Sequence, residues 1–185
     1  AGAGHAVRVV SAADCDAESA MDGISIRGVR NLTFRADELV SEIQTFSPDH
    51  VLVSSDDLSH VLLRKAASAA LDRLVYVAHT PQWFPFGPES WNQEPAAAEI
   101  VRKARAVAVI GQHMAAYVET HLGRPACIIH PPIYGTPPYR RFGRFGDGSV
   151  LLVNPCAAKG ISIFLALAER FPQVEFAGLA GWGTT

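Results

Sequence analysis

The hydrophobic and polar positions of the chain follow two periodicities, one typical of strands and one typical of helices. Short β-branched or apolar runs predict strands at 6–11, 23–29, 51–53, 74–78, 107–110 and 126–129. Apolar residues at helical spacing predict the intervening helices at 35–46, 58–71, 96–104 and 112–122. Strands that alternate with helices in this way predict βαβ units and an α/β fold with a parallel, doubly wound sheet.

This pattern breaks between residues 130 and 148. Two proline pairs, Pro131–Pro132 and Pro137–Pro138, precede a basic, glycine-rich run. Such a composition is typical of extended connections between domains. We therefore expect an interdomain linker over 131–149.

The α/β pattern then starts again after the linker. A strand is predicted at 150–153, a helix at 160–171 and a further strand at 174–179. We therefore expect an N-terminal α/β domain over 1–130 and the beginning of a second domain over 150–185.

Composition narrows the class of protein. With 49% hydrophobic and 18% charged residues, the 185-residue chain has the profile of a globular protein. Its net charge of −2, without blocks of like charge, gives no indication of a nucleic-acid partner. Its apolar runs are far shorter than the roughly 20 residues of a membrane-spanning helix, and no signal peptide is evident. Three scattered cysteines favour a reducing cytoplasm. The 28 alanines and 13 arginines against three lysines favour a GC-rich bacterial genome.

Several polar residues follow predicted strands directly, where ligands of open parallel sheets bind. Ser54–Asp57 follow the strand at 51–53, although Ser and Asp there more commonly cap the next helix. His79 follows the strand at 74–78 and has a side chain suited to proton transfer or hydrogen bonding near neutral pH. A loop histidine with a purely structural hydrogen bond is the alternative. The histidines lack metal-ligand spacing, so no metal site is predicted.

A long segment from His79 to Pro95 holds four aromatic residues, namely Trp83, Phe84, Phe86 and Trp91. Loops of more than about 12 residues in compact domains are usually functional or disordered, and aromatic residues argue against disorder. The segment could stack on a sugar or cover an apolar acceptor. It could equally pack as the core of an Ω-loop.

The segment N-P-C-A-A-K-G, Asn154–Gly160, lies between a buried-type strand and a helix. Lys159 is one of only three lysines and falls at the start of the helix, where the macrodipole disfavours a cation. An anion held between the ammonium and the helix N-terminus, such as a phosphate, would explain this placement. A solvent-exposed lysine without a partner is the alternative.

Five stretches carry a pattern shared with a known family: Gly4–Ser11, Val75–Pro81, Ala106–Val118, Ile128–Ile133 and Val150–Pro172. In them the chain resembles the family 4 retaining glycosyltransferases, whose GT-B fold has two facing Rossmann-like domains with the active site between them. Lys159–Gly160, at the start of the first helix of the second domain, is the most specific part of the resemblance.

The resemblance implies a sugar transfer from a nucleotide-diphosphate sugar, without metal or other cofactor, to a sugar, natural-product or envelope-glycan acceptor. Lys159 would contact the donor diphosphate and His79 would reach the acceptor and the reacting sugar, so these two residues are the catalytic candidates. The remaining candidates belong to either side of the cleft. The donor side comprises Asn154, Gly160 and Gly181, within the turn that ends at Gly183, and the acceptor side comprises Ser55, Asp56, Thr80 and Trp83.

The chain also departs from that family. An arginine usually lies a few residues before the lysine, whereas Asn154 and Cys156 are nearest here. The family's first strand would precede residue 1, and its E-x7-E region would follow residue 185. Two other functions therefore stay open: a nucleotide-sugar epimerase of the same fold, and an incomplete or non-catalytic binding module.

Overall fold

A computed structural model describes residues 3–131, 138, 143, 146, 148–181 and 184. The chain divides into two compact units, Ala1–Pro131 and Pro132–Thr185. Most of the predicted linker over 131–149 lies outside the described residues. Among those described, no helix is both long and apolar enough to cross a membrane.

Apart from one additional strand, the first unit combines β-strands with α-helices in the order expected from the sequence. Its strands are β1 (Val7–Ala13), β2 (Ala17–Met21), β3 (Ile24–Arg30), β4 (Val51–Ser54), β5 (Leu74–Ala78), β6 (Ala106–Val109) and β7 (Cys127–Ile128). Its α-helices are α1 (Asp37–Phe46), α2 (Val61–Ala70), α3 (Pro95–Lys103) and α4 (Gln112–Leu122). Short 3-10 helices cover Leu71–Arg73 and Pro81–Trp83.

The larger sheet has the order β4-β5-β6-β7, and every neighbouring pair is parallel. The predicted α/β class with a parallel sheet is therefore confirmed. Because parallel crossovers are right-handed, a strand order that advances in one direction places successive helices on the same face. A doubly wound sheet requires a point at which the strand order reverses. The described residues of this sheet contain no such point, so the doubly wound arrangement stays a prediction.

One face of the larger sheet carries the hydrophobic core. Val53, Tyr76 and Val107 lie side by side on neighbouring strands and pack with residues of the helices, such as Leu63. The other face is left uncovered by the described residues, and Leu52 there is 67% exposed.

The smaller sheet has the order β1-β3-β2, with β1 parallel and β2 antiparallel to β3. Ion pairs join it to α1, for example between Arg8 Nε and Glu42 Oε2 at 2.5 Å. Strand β2 was not predicted, because all five of its residues are exposed and give no alternating pattern.

The second unit contains one βαβ motif. Strand β8 (Val150–Val153) leads through a 3-10 turn, Ala157–Lys159, into α5 (Ile161–Arg170) and then β9 (Phe176–Leu179). Strands β8 and β9 are parallel. The rings of Phe164 and Phe176 pack edge to face with centroids 5.3 Å apart, which fixes the helix on the sheet.

Candidate functional site

Ser55 joins the carboxyl ends of β4 and β5. Its amide donates to the Val77 carbonyl at 2.9 Å, and its hydroxyl oxygen accepts the His79 amide at 3.0 Å. The residue is only 2% exposed. Ser55, predicted to contact an acceptor, is therefore placed where it positions the backbone of His79.

The two aspartates after β4 have different environments. Asp57 accepts the amides of Ser59 at 3.0 Å and Leu62 at 2.8 Å, so it stabilises the first turn of α2. Asp56 is exposed and accepts the Ser54 hydroxyl at 2.8 Å. Of the two, Asp56 is the one available to a ligand.

His79 lies half-buried at the carboxyl end of β5, next to exposed Thr80. It lines an apolar groove of about 560 Å³ on the uncovered sheet face, together with Leu52, Val77 and Ile110. The described residues give its imidazole no hydrogen-bond partner, and they contain no cluster of His, Cys, Asp and Glu that could hold a metal ion. The imidazole can therefore contact a ligand that lies in this groove.

The aromatic segment divides into a buried half and an accessible half. Phe84 is 0% exposed, and its ring centroid lies 5.3 Å from Phe86 and 5.9 Å from Tyr117. Trp83 and exposed Trp91 pair at the surface with centroids 6.5 Å apart. Core packing is therefore the role of the phenylalanines, and the tryptophans are the ones placed for ligand contact.

A partly buried polar cluster, which no sequence signal predicts, anchors the end of this segment. His60 is 1% exposed, and its Nδ1 lies 3.0 Å from Glu94 Oε2. Arg64 donates to both carboxylate oxygens of Glu94 at 2.7 and 2.6 Å. No sequence signal connects residues that are 34 positions apart. The cluster holds the loop before α3 against the start of α2, and thereby fixes the aromatic segment at its end.

Burial also affects the tyrosines beneath the segment. Desolvation raises the pKa of Tyr76, and the nearby carboxylates of Asp56 and Asp57 raise it further. Burial likewise raises the pKa of Tyr117, whose hydroxyl oxygen accepts the Glu89 amide at 3.2 Å. Both phenols therefore stay neutral at physiological pH. Tyr76 packs in the core, whereas Tyr117 both packs there and holds the Glu89 amide.

We expect Gly87→Ala to lower the free energy of unfolding of the first unit by about 2–4 kcal/mol. Two costs contribute, namely the strain of a left-handed backbone at a residue with a Cβ and the overpacking of that Cβ against its neighbours. Gly87 has φ +86°, and a Cβ there would lie 2.7 Å from Tyr117 Cζ. Gly123→Ala is the matched control, because Gly123 has φ +74° but no atom within 4 Å of an added Cβ. Urea unfolding measures both variants. Equal destabilisation would contradict the close approach of Gly87 to Tyr117.

In the second unit, the structure brings Asn154 and Gly181 together. Asn154 is buried, has φ 59°, and donates its amide to Leu179 at 2.8 Å. A Cβ added to Gly181 would lie 3.2 Å from Asn154 Cβ, so the glycine permits this approach. Gly183, in the predicted turn, lies outside the described residues.

Lys159 and Gly160 form the entry to α5. Gly160 adopts the left-handed conformation with φ 78°, and no side chain caps the helix N-terminus. Lys159 is exposed and has no ion-pair partner among the described residues. The Ile161 amide donates to the Cys156 carbonyl at 3.3 Å, so the amides of Ser162 and Ile163 and the Lys159 ammonium are the groups open to a ligand at this end of α5.

The four predicted donor residues lie at two kinds of position. Asn154 and Gly181 follow the carboxyl ends of β8 and β9, and Lys159 and Gly160 lie at the start of α5. Amides at a helix N-terminus favour an anion, and a neighbouring ammonium adds a charge-assisted hydrogen bond. In the first unit, Asp56 follows the carboxyl end of β4, and His79, Thr80 and Trp83 follow that of β5. Each unit thus has polar groups at the sheet edge where ligands of parallel sheets bind.

Comparison of the chain with protein-family models, with curated proteins and with solved structures gave no match.

Proposed function

We propose that the chain belongs to a retaining glycosyltransferase of the GT-B fold that moves a sugar from a nucleotide-diphosphate sugar to an acceptor hydroxyl. The observation that carries the proposal is the uncapped, glycine-started N-terminus of α5 beside Lys159. In the same motif, Asn154 directly follows β8 and Gly181 lies two residues beyond the end of β9. This local geometry supports the proposal, and so does the Lys159–Gly160 motif on which the sequence resemblance depends.

On this proposal, the second unit stabilises the leaving group. Cleavage of the donor develops positive charge on the sugar and negative charge on the departing diphosphate. The Lys159 ammonium and the first-turn amides of α5 would offset that negative charge as it forms. Gly160, which lacks a side chain, would let the diphosphate approach the helix start.

The first unit would hold the acceptor. His79 would orient the acceptor hydroxyl or the reacting sugar by hydrogen bonding, since its imidazole has no partner among the described residues. The Asp56 carboxylate would accept hydrogen bonds from sugar hydroxyls, the Thr80 hydroxyl would accept or donate them, and Trp83 would stack on a ring. A sugar, a natural product or an envelope glycan would suit these groups.

A donor screen tests the proposal directly. The polypeptide that contains residues 1–185 is incubated with UDP-, GDP- and dTDP-sugars and with candidate acceptors, and product formation and anomeric configuration are followed by NMR. Transfer with retention supports the proposal. Interconversion of the free donor without an acceptor would instead identify an epimerase, and failure to bind any donor nucleotide would favour a binding module.

We expect His79→Ala to abolish most transfer while donor affinity stays within about twofold of the parent, because the donor residues lie in the other unit. Calorimetric titration with the donor and a transfer assay separate the two effects. His113→Ala, at an exposed position in the first turn of α4, is the matched control and should leave both unchanged. A parallel loss of donor affinity in His79→Ala would contradict this division of roles.

A further inference from the structure

The aromatic segment presents two neighbouring tryptophans, Trp83 and Trp91, at its surface. The ring centroids of this tryptophan pair are 6.5 Å apart, and the ring planes differ by 37°. This separation and tilt exclude a face-to-face stack, so neither indole covers the whole face of the other. Trp91 is 70% exposed, and Trp83 is half-buried. The tryptophan pair therefore offers two apolar rings, rather than one, to a ligand.

Hydrogen bonds fix the backbone that carries the two rings. The Trp91 amide donates to the Gln82 carbonyl at 2.9 Å, which joins the two turns of the segment directly. Next to Trp91, the Asn92 side chain donates to the Leu58 carbonyl at 2.8 Å and so ties the segment to the loop before α2. Because these bonds are already made, little conformational entropy is lost at the tryptophan pair when a ligand binds.

The polar side chains beside the tryptophan pair include amides and a carboxylate. Gln82 Nε2 donates to Glu89 Oε2 at 3.2 Å, and Asn92 and Gln93 are exposed. The segment contains no Lys or Arg, which a phosphate-rich ligand or an anionic membrane surface would require. Amides and carboxylates beside an aromatic ring instead match a sugar, because its C–H face stacks on the ring while its hydroxyls form hydrogen bonds.

The apolar area of this surface is too small for a protein partner. Phe84 and Phe86 are buried, and Trp91 is the only large apolar residue of the segment that is exposed. Stable protein interfaces bury about 800 Å² on each partner. Two indoles bordered by polar side chains supply only a fraction of that area, but they are sufficient to cover sugar rings.

We propose that the tryptophan pair binds an acceptor of at least two sugar units, with one ring on Trp83 and the next on Trp91. Rings joined through one glycosidic oxygen follow each other closely enough to contact both indoles. The inference rests on the proposed function, in which Trp83 stacks on the acceptor near His79. It adds Trp91 as a second sugar subsite, with Gln82 and Glu89 as partners for the hydroxyls. The acceptor is then an oligosaccharide or a glycan chain.

Binding of matched methyl glycosides, measured without a nucleotide sugar, tests the inference. The probes are methyl glycosides of glucose, galactose, mannose and N-acetylglucosamine, together with the corresponding α- and β-linked methyl disaccharides. We expect at least one disaccharide to bind about fivefold more tightly than its monosaccharide, because the second ring adds one aromatic contact. NMR titration of the indole N–H signals measures each affinity.

Two variants assign the gain to Trp91. Trp91→Ala should remove the advantage of the disaccharide and leave monosaccharide affinity unchanged, whereas Trp91→Phe retains a flat ring and should keep part of the advantage. Because Trp91 is exposed, urea unfolding of Trp91→Ala should match that of the parent. The proposal is overturned if no disaccharide binds more tightly than its monosaccharide, or if Trp91→Ala weakens both equally.

Transfer assays separate failure of this inference from failure of the proposed function. Equal kinetics of transfer to an oligosaccharide in the parent and in Trp91→Ala would contradict the second subsite and leave the glycosyltransferase in place. Disaccharide binding that depends on Trp91, without transfer from any nucleotide sugar, would support the subsite and contradict the proposed function.

Discussion

Replacement of Phe84 by alanine is expected to destabilise the first unit by about 3–5 kcal/mol, the usual cost of removing a fully buried aromatic ring. The ring is fully buried and contacts the rings of Tyr76, Phe86 and Tyr117 at centroid distances of 5.3 to 6.3 Å. Its loss removes these ring contacts and leaves a cavity in the core of the first unit. Urea unfolding followed by tryptophan fluorescence measures the change.

Phe34→Ala is the matched control for that experiment. Phe34 is 92% exposed, so the same substitution should change the free energy of unfolding by no more than about 0.5 kcal/mol. A Phe84→Ala variant as stable as Phe34→Ala would show that the aromatic segment does not pack into the core. That result would also mean that the packing of Phe84 does not hold Trp83 and Trp91 in position.

Most helices and strands of this fold could be predicted from apolar spacing. Strands β5 and β8 and helix α4 match their predicted ranges exactly or within a residue. Boundaries set by backbone conformation could not be predicted. Helix α2 was expected from residue 58, yet it begins at Val61 because His60 has φ 53°, which a helix cannot contain.

Residues of the candidate site could be predicted only where they are neighbours in the sequence. The turn at Lys159 and Gly160 combines a rare lysine with a glycine at a helix start, and both signals are visible in sequence. The His60 and Glu94 contact depends on how two distant loops meet. Hydrophobic periodicity contains no information about such a contact, because it reports only the local burial of each residue.

The roles of individual side chains also depend on how exposed each one is, which the sequence does not show. Ser55, Asp56 and Asp57 look equivalent after β4, but one is buried, one is exposed and one holds α2. Likewise, the aromatic segment contains two phenylalanines that pack inward and two tryptophans that pack near the surface. Which aromatic residue faces inward depends on the 3-10 turn at Pro81–Trp83, whose geometry the composition of the segment does not specify.

Replacement of Lys159 by alanine is expected to lower kcat/KM of glycosyl transfer by about 10², the scale of losing one charged donor to a developing oxyanion. The side chain is exposed, so the fold should be unaffected. In the proposed mechanism the ammonium acts on charge that forms as the sugar–phosphate bond of the donor breaks, so most of the loss should appear in kcat. Initial rates over a range of donor concentrations separate kcat from KM.

Lys103→Ala is the control for charge alone. Lys103 is also exposed, but it pairs with Glu99 on α3 at 3.3 Å, far in sequence from α5, and its removal should leave kcat/KM within about twofold. Lys159→Arg retains the positive charge with a different shape, so it should recover part of the activity. Because a diphosphate leaving group needs a cation close to its oxygens, unchanged transfer kinetics in Lys159→Ala would mean that the donor does not bind at the start of α5.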